Sequence, residues 1–190
     1  PFFGVGVGTT IYANPPQSKF YLFRCGNIDC SFGNIGWRAI HGPTYGYFGS
    51  GGMYATMGLG SDGFPIMSWS EAYDEDPILK CLDNDCGQRQ LTHLYLSGVS
   101  TVNSFSNGPN GNNYYDANDD YGRSLVRRCD TLNCSAYSQS PFFPDGYYGI
   151  HSAIPTDNKP VVTYYSGGSL GVAKCTNPTC NPLPTLPTIE

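Results

Sequence analysis

The residues of this sequence best suited to chemistry are eight cysteines, and their spacing is regular: Cys25/Cys30, Cys81/Cys86, Cys129/Cys134 and Cys175/Cys180, with four residues inside every pair. Two chemistries fit such pairs. Structural zinc draws thiolates from two pairs converging on one tetrahedral site, and C-x4-C sits at the loose edge of its usual spacing. A local disulfide needs only its own turn, and an even cysteine count in a regular arrangement favours oxidised pairs in an extracytoplasmic compartment. The four pairs are therefore expected to be disulfides, with no metal bound to them.

Hydrolytic chemistry would draw on the 15 acids, most of which fall in turn-like clusters: Asp74, Glu75 and Asp76; Asp83 and Asp85; Asp116, Asp119 and Asp120. Turn acids commonly cap nearby backbone amides, and no pair stands out as the two carboxylates that glycoside hydrolysis requires. The run "DANDDYG" sets Asp116, Asn118 and Asp120 at the first, third and fifth places of a calcium loop. Tyr121 then takes the glycine place and Arg127 the place of the bidentate glutamate, so these are weak calcium candidates, and no other cofactor is indicated. His41, His93 and His151 lie far apart without an HExxH pattern, and "GVGVG" at residues 4–8 lacks the spacing and following helix of a phosphate loop. No catalytic residue is assigned, and the expectation is a protein that is not an enzyme.

Aromatic residues carry a different signal. Tyr45, Tyr47 and Phe48, then Phe142, Phe143, Tyr147 and Tyr148, flank glycines and prolines. Such rings stack on sugars, anchor a protein partner, or fill gaps between packed units. Asn107, Asn110, Asn112 and Asn113 form a polar loop of the kind a lectin uses. Asn133-Cys134-Ser135 fits an N-glycosylation acceptor at Asn133, although a disulfide at Cys134 would hinder it.

The elements that must position these residues follow from internal repetition. Laid out on the cysteine pairs, "GMYATMGLGSDGFPIMSWSEAYDEDPILKCLDNDC" and "GIHSAIPTDNKPVVTYYSGGSLGVAKCTNPTC" share an order. Each has an alternating segment, a turn, a run ending in an aromatic, a polar turn and a short run into cysteine. The third copy is more polar, and the first matches only from its middle. With 24 Gly and 15 Pro in 190 residues, few windows run a helix length without a breaker. The expectation is all-β: four tandem repeats of about four strands each, three before the cysteine loop and one after, at the roughly 40–50-residue length of a propeller blade. A β-sandwich is the alternative. The chain reads as a single β-repeat domain over 1–190, with approximate repeats 1–42, 43–98, 99–146 and 147–190. Runs such as 161–165 are apolar on both faces, as a strand between two neighbouring sheets would be.

The segments "DGFPIMSW … ILKCLDNDC" and "NKPVVTYY … LGVAKCTNPTC" resemble the repeats of secreted, mostly bacterial proteins. In those an Asp-Gly turn, a Pro-Val-Ile-Ser-Tyr-Tyr-like strand, a Leu-Lys-Val-Ala-like strand and a cysteine pair recur. The resemblance implies a propeller-like array outside the cell and little about activity. It covers the second and fourth copies; the first and third lose the Asp-Gly turn.

A net charge of −5 with only 10 Lys and Arg offers no basic stripe for nucleic acid, and no apolar run approaches the roughly 18 residues of a membrane helix. The chain opens at Pro1, as a processed product or part of something longer would. The function expected is that of an extracellular or cell-surface structural or adhesive protein, a subunit of a filament or other assembly. Self-assembly would use an open strand edge or the proline-punctuated tail "NPLPTLPTIE". A carbohydrate-binding lectin is the alternative, and a glycoside hydrolase stands further off.

Overall fold

The computed structural model describes residues 2–10, 17–25, 35–41, 55–69, 76–94, 101–119, 121–144 and 148–186, which hold fourteen strands and no helix. Four antiparallel sheets follow one another along the chain, each a meander of consecutive strands, and none closes into a barrel. The first comprises β1 (Phe2–Thr10), β2 (Gln17–Cys25) and β3 (Ile35–His41), and the second β4 (Ala55–Leu59), β5 (Pro65–Trp69), β6 (Asp76–Cys81) and β7 (Arg89–Leu94). The third comprises β8 (Thr101–Asn107), β9 (Asn113–Asn118), β10 (Ser124–Cys129) and β11 (Tyr137–Gln139). The last comprises β12 (Tyr148–Ala153), β13 (Val161–Ser166) and β14 (Ser169–Lys174).

Each cysteine loop follows the strand that the repeat places before it. In the second and third sheets the next strand returns from the loop to pair with that strand, giving three strands before the loop and one after. The first sheet has two strands before its loop, consistent with a copy that matches only from its middle. The leading strands lie side by side: β4 is flanked by β1 and β8, and β8 also meets β12.

Alternation of side chains across a strand lets the inner sheets bury both faces. Met67, Trp69 and Leu79 of the second sheet pack with Leu22 of the first. Ile66 and Ile78, on the opposite face, pack with Tyr115, Ala117 and Leu125 of the third. The third sheet in turn presents Tyr114 and Val126 to Ile150, Val162, Tyr164 and Ala173 of the last. Full burial of each such apolar side chain is worth about 1.5–3 kcal/mol, so these three seams supply the main cohesion between sheets.

Two sequence expectations need correction. The 161–165 strand is not covered on both faces: Val162 and Tyr164 are buried, whereas Tyr165 is 50% exposed and Val161 and Thr163 only half-buried. Its apolar residues on that side meet no further sheet among the described residues. The third copy, for its part, keeps the turn whose Asp-Gly it lacks. Gly63 donates to the Gly60 carbonyl at 2.8 Å, Gly111 to Gly108 at 3.1 Å and Asn158 to Pro155 at 2.9 Å. Gly63, Gly111 and Asn158 all have positive φ, at 80°, 86° and 59°. Asp62-Gly63, Asn110-Gly111 and Asp157-Asn158 are thus interchangeable, because glycine and asparagine both tolerate the left-handed region.

Candidate functional site

Three of the four expected disulfides are present: Cys81–Cys86, Cys129–Cys134 and Cys175–Cys180, with Cα atoms 4.7, 4.6 and 5.0 Å apart. The remaining pair falls outside this comparison, since Cys30 lies beyond the described residues and Cys25 is placed only by its backbone at the end of β2. The three loops share one construction. The second cysteine of each has positive φ, at 55°, 56° and 51°, a conformation that costs a non-glycine residue about 1–2 kcal/mol. Its amide donates to the carbonyl of the residue two places after the first cysteine: Asp83, Thr131 or Asn177. The side chain of that residue caps the loop as well. Asp83 Oδ1 accepts from the Asp85 and Gly87 amides and Oδ2 from Gln88. Thr131 Oγ1 accepts from Ala136, and Asn177 Oδ1 from Thr179 and Asn181. All six cysteines are buried, which shields the sulfurs from the thiolate attack that exchange requires. Buried local bridges of this kind suggest an oxidising environment.

A cation precedes the first cysteine of each loop, a regularity that sequence inspection left unused. Lys80 pairs with Asp62 at 2.8 Å and Lys174 with Asp157 at 2.6 Å, so the strand before the cysteine is tied to the turn two strands back. In the third copy both partners change together: Asn110 replaces the turn acid, and Arg128 pairs instead with Asp130 at 2.7 Å. Arg128 holds the Asp130 carboxyl below the usual range, and Lys174 does the same for Asp157.

Polar side chains also join the sheets. Ser61 donates its amide to Asn113 Oδ1 at 2.8 Å and its hydroxyl to the Gly111 carbonyl at 2.6 Å, and Asn107 donates to the Gly60 carbonyl at 3.3 Å. Asn112 donates to the Cys129 carbonyl and Asn113 to Leu132. Three of the asparagines that sequence offered to a sugar are therefore engaged in holding turns and sheets together. Tyr114 reaches Asn158 at 3.2 Å across the next seam; burial pushes its hydroxyl up despite that bond and the nearby Arg128.

Of the calcium candidates, Asp116 lies wholly buried between the third and last sheets. Its Oδ2 accepts from the Ser104 hydroxyl and from the Ser152 amide at 2.7 Å, while its Oδ1 has no hydrogen-bond partner. Burial raises its pKa, opposed by those two serines. Asn118 is bonded instead to Ser124 and Asn103, and Asp120 lies outside the described residues. Asp119 is the acid that shapes this turn. Although desolvation raises its pKa, the Arg123 amide and guanidinium, with the Tyr121 amide, hold it low overall. Among the described residues no group of three His, Cys, Asp or Glu is placed to hold a metal ion.

The aromatic candidates divide. Phe143 is buried in the seam between the third and last sheets, and Phe142 packs against the neighbouring seam with the Arg123 guanidinium 4.6 Å from its ring centroid. Tyr148 is placed by its backbone in β12, and Tyr45, Tyr47, Phe48 and Tyr147 lie outside the described residues. Asn133 is half-buried in its cysteine loop, accepting from the Ser135 amide at 3.3 Å. His41 ends β3, His93 lies in β7 and His151 is exposed on β12. In the tail, Leu183 and Leu186 pack against the core of the last seam. No described helix is long and apolar enough to cross a membrane. A scan against models of known protein families finds no match, and neither does a search of curated proteins.

Proposed function

We propose that this chain is a non-enzymatic structural or adhesive protein of the cell surface or extracellular space, a propeller-like series of disulfide-stapled sheets that works within an assembly. The observation that carries the reading is the use made of its polar side chains. Asp62, Asp83, Asp119, Asp130 and Asp157 close their own turns or neutralise a nearby cation, and Asn107, Asn112 and Asn113 bond to backbone. Catalytic sites instead leave titratable groups converging on a cleft. The side-by-side leading strands support a propeller-like course, and the local disulfides support an oxidising location.

A panel of glycoside substrates and a glycan array test the reading. The expected outcome is no turnover and no retained glycan at high protein concentration. Turnover that disappears on substitution of a carboxylate would overturn the reading in favour of a hydrolase, and saturable glycan binding would transfer it to a lectin.

A further inference from the structure

We infer that Asn110 is a site of spontaneous deamidation, and that the aspartate formed there draws Arg128 into the turn-to-strand ion pair that the third copy lacks. This covalent change goes beyond the structural reading above and does not depend on it.

Asparagine is chemically labile, most of all before glycine, whose amide no side chain shields and whose backbone turns freely. The sequence holds two such pairs, Asn107-Gly108 and Asn110-Gly111, and the fold separates them. Asn107 ends β8, and its carboxamide donates to the Gly60 carbonyl of the second sheet at 3.3 Å. Gly108 is buried, its amide donates to the Asn112 carbonyl at 2.8 Å, and a Cβ there would meet Asn158 Oδ1 at 2.6 Å and Tyr114 Cε2 at 2.9 Å. Asn110 and Gly111 are both exposed, and nothing lies within 4 Å of a Cβ placed on Gly111. Whereas Asn107, Asn112 and Asn113 each hold a backbone carbonyl, no hydrogen bond engages the Asn110 carboxamide among the described residues. The Gly111 amide leaves only its 3.1 Å bond to the Gly108 carbonyl, and an exposed turn opens locally at little cost.

In the reaction the Gly111 amide nitrogen, deprotonated by hydroxide, attacks Asn110 Cγ. The N–Cγ bond forms, the Cγ–Nδ2 bond breaks, and ammonia leaves with a proton from solvent. Water then opens the five-membered imide. Attack at Cγ restores the peptide and yields aspartate; attack at the main-chain carbonyl yields isoaspartate, which lengthens the turn by a methylene.

The aspartate product reproduces the other copies. Asn110 holds the turn position of Asp62 and Asp157, and Arg128 the pre-cysteine position of Lys80 and Lys174, which form pairs at 2.8 and 2.6 Å. Asn110 Oδ1 lies 3.1 Å from a Cβ on Gly108, much as Asp62 Oδ1 lies 2.8 Å from one on Gly60, where Lys80 Nζ also approaches to 3.1 Å. The side-chain oxygen is already where the acid belongs. Arg128, now paired with Asp130 at 2.7 Å, has donors enough for a second carboxylate.

The test is peptide mapping by mass spectrometry after incubating the intact, oxidised chain at mildly alkaline pH. Asn110 is expected to convert about tenfold or more faster than Asn107, while in the reduced chain in urea the two convert at similar rates. Conversion of Asn107 as fast as Asn110 in the folded chain, or an unchanged Asn110 where the unfolded chain reacts, overturns the inference. Asn110→Asp supplies the product directly. In that background Asp130→Asn should lower the urea midpoint less than it does in the wild type, because Arg128 keeps a partner; equal shifts overturn the restored pair.

Discussion

Lys80 and Lys174 occupy one position of the repeat in two environments. Removing the partner of a buried ion leaves an uncompensated charge, costing about 3 kcal/mol or more, while an exposed pair contributes roughly 0–1 kcal/mol. Asp62→Asn is therefore expected to lower the free energy of unfolding in urea by about 3 kcal/mol, and Asp157→Asn by far less, since solvent screens its exposed pair. Equal losses would show that burial of the Lys80 pair does not govern its contribution. Asp116 allows a second prediction, from pH. Its folded pKa is raised, chiefly by burial, so its contribution to stability is complete below the ordinary carboxylate pKa, about 4. That contribution is lost as pH rises through the folded value. Asp119 and Asp130, held low, contribute stability above that ordinary pKa which is lost as pH falls through their folded values. As pH rises above the ordinary carboxylate pKa, about 4, the melting temperature of Asp116→Asn should fall less than that of the wild type. Parallel melting curves would remove Asp116 as the source of the pH dependence.

At the scale of elements, the cysteine loops and the approach between sheets decide stability separately. A disulfide closing so short a loop contributes about 2 kcal/mol in the chain-entropy account. Replacing both Cys81 and Cys86 with serine should thus lower stability by about that amount while leaving the strand content measured by circular dichroism unchanged; loss of the sheet signal would mean that the staple is required for folding itself. Gly58 acts between elements. A Cβ there would come within 2.7 Å of Phe105 Cβ and 3.3 Å of its carbonyl oxygen, neither of which swings aside. Gly58→Val should cost about 1–3 kcal/mol through overpacking, read as a lower urea midpoint at unchanged slope. Strands and cysteine loops were legible from alternation and spacing. The third copy's turn was not, because Asn110-Gly111 satisfies the same backbone geometry as Asp62-Gly63 with different letters. The pairing of Lys80 with Asp62 was also hidden, since the two positions meet only when the meander folds.

For the whole molecule, non-reducing peptide mapping should recover Cys81–Cys86, Cys129–Cys134 and Cys175–Cys180, and with them a fourth local pair, Cys25–Cys30; bridges between units would break the repeat scheme. The sequence by itself determined the all-β class, three of the cysteine pairs and the succession of antiparallel meanders, because alternation, turn formers and C-x4-C spacing all act within a few tens of residues. Only tertiary structure decided which apolar faces are covered. Val161 and Ile66 are alike to a reader of the chain, yet one is half-buried and the other wholly enclosed. Burial depends on whether another sheet arrives, and that is settled by how successive units stack and not by the strand's own residues.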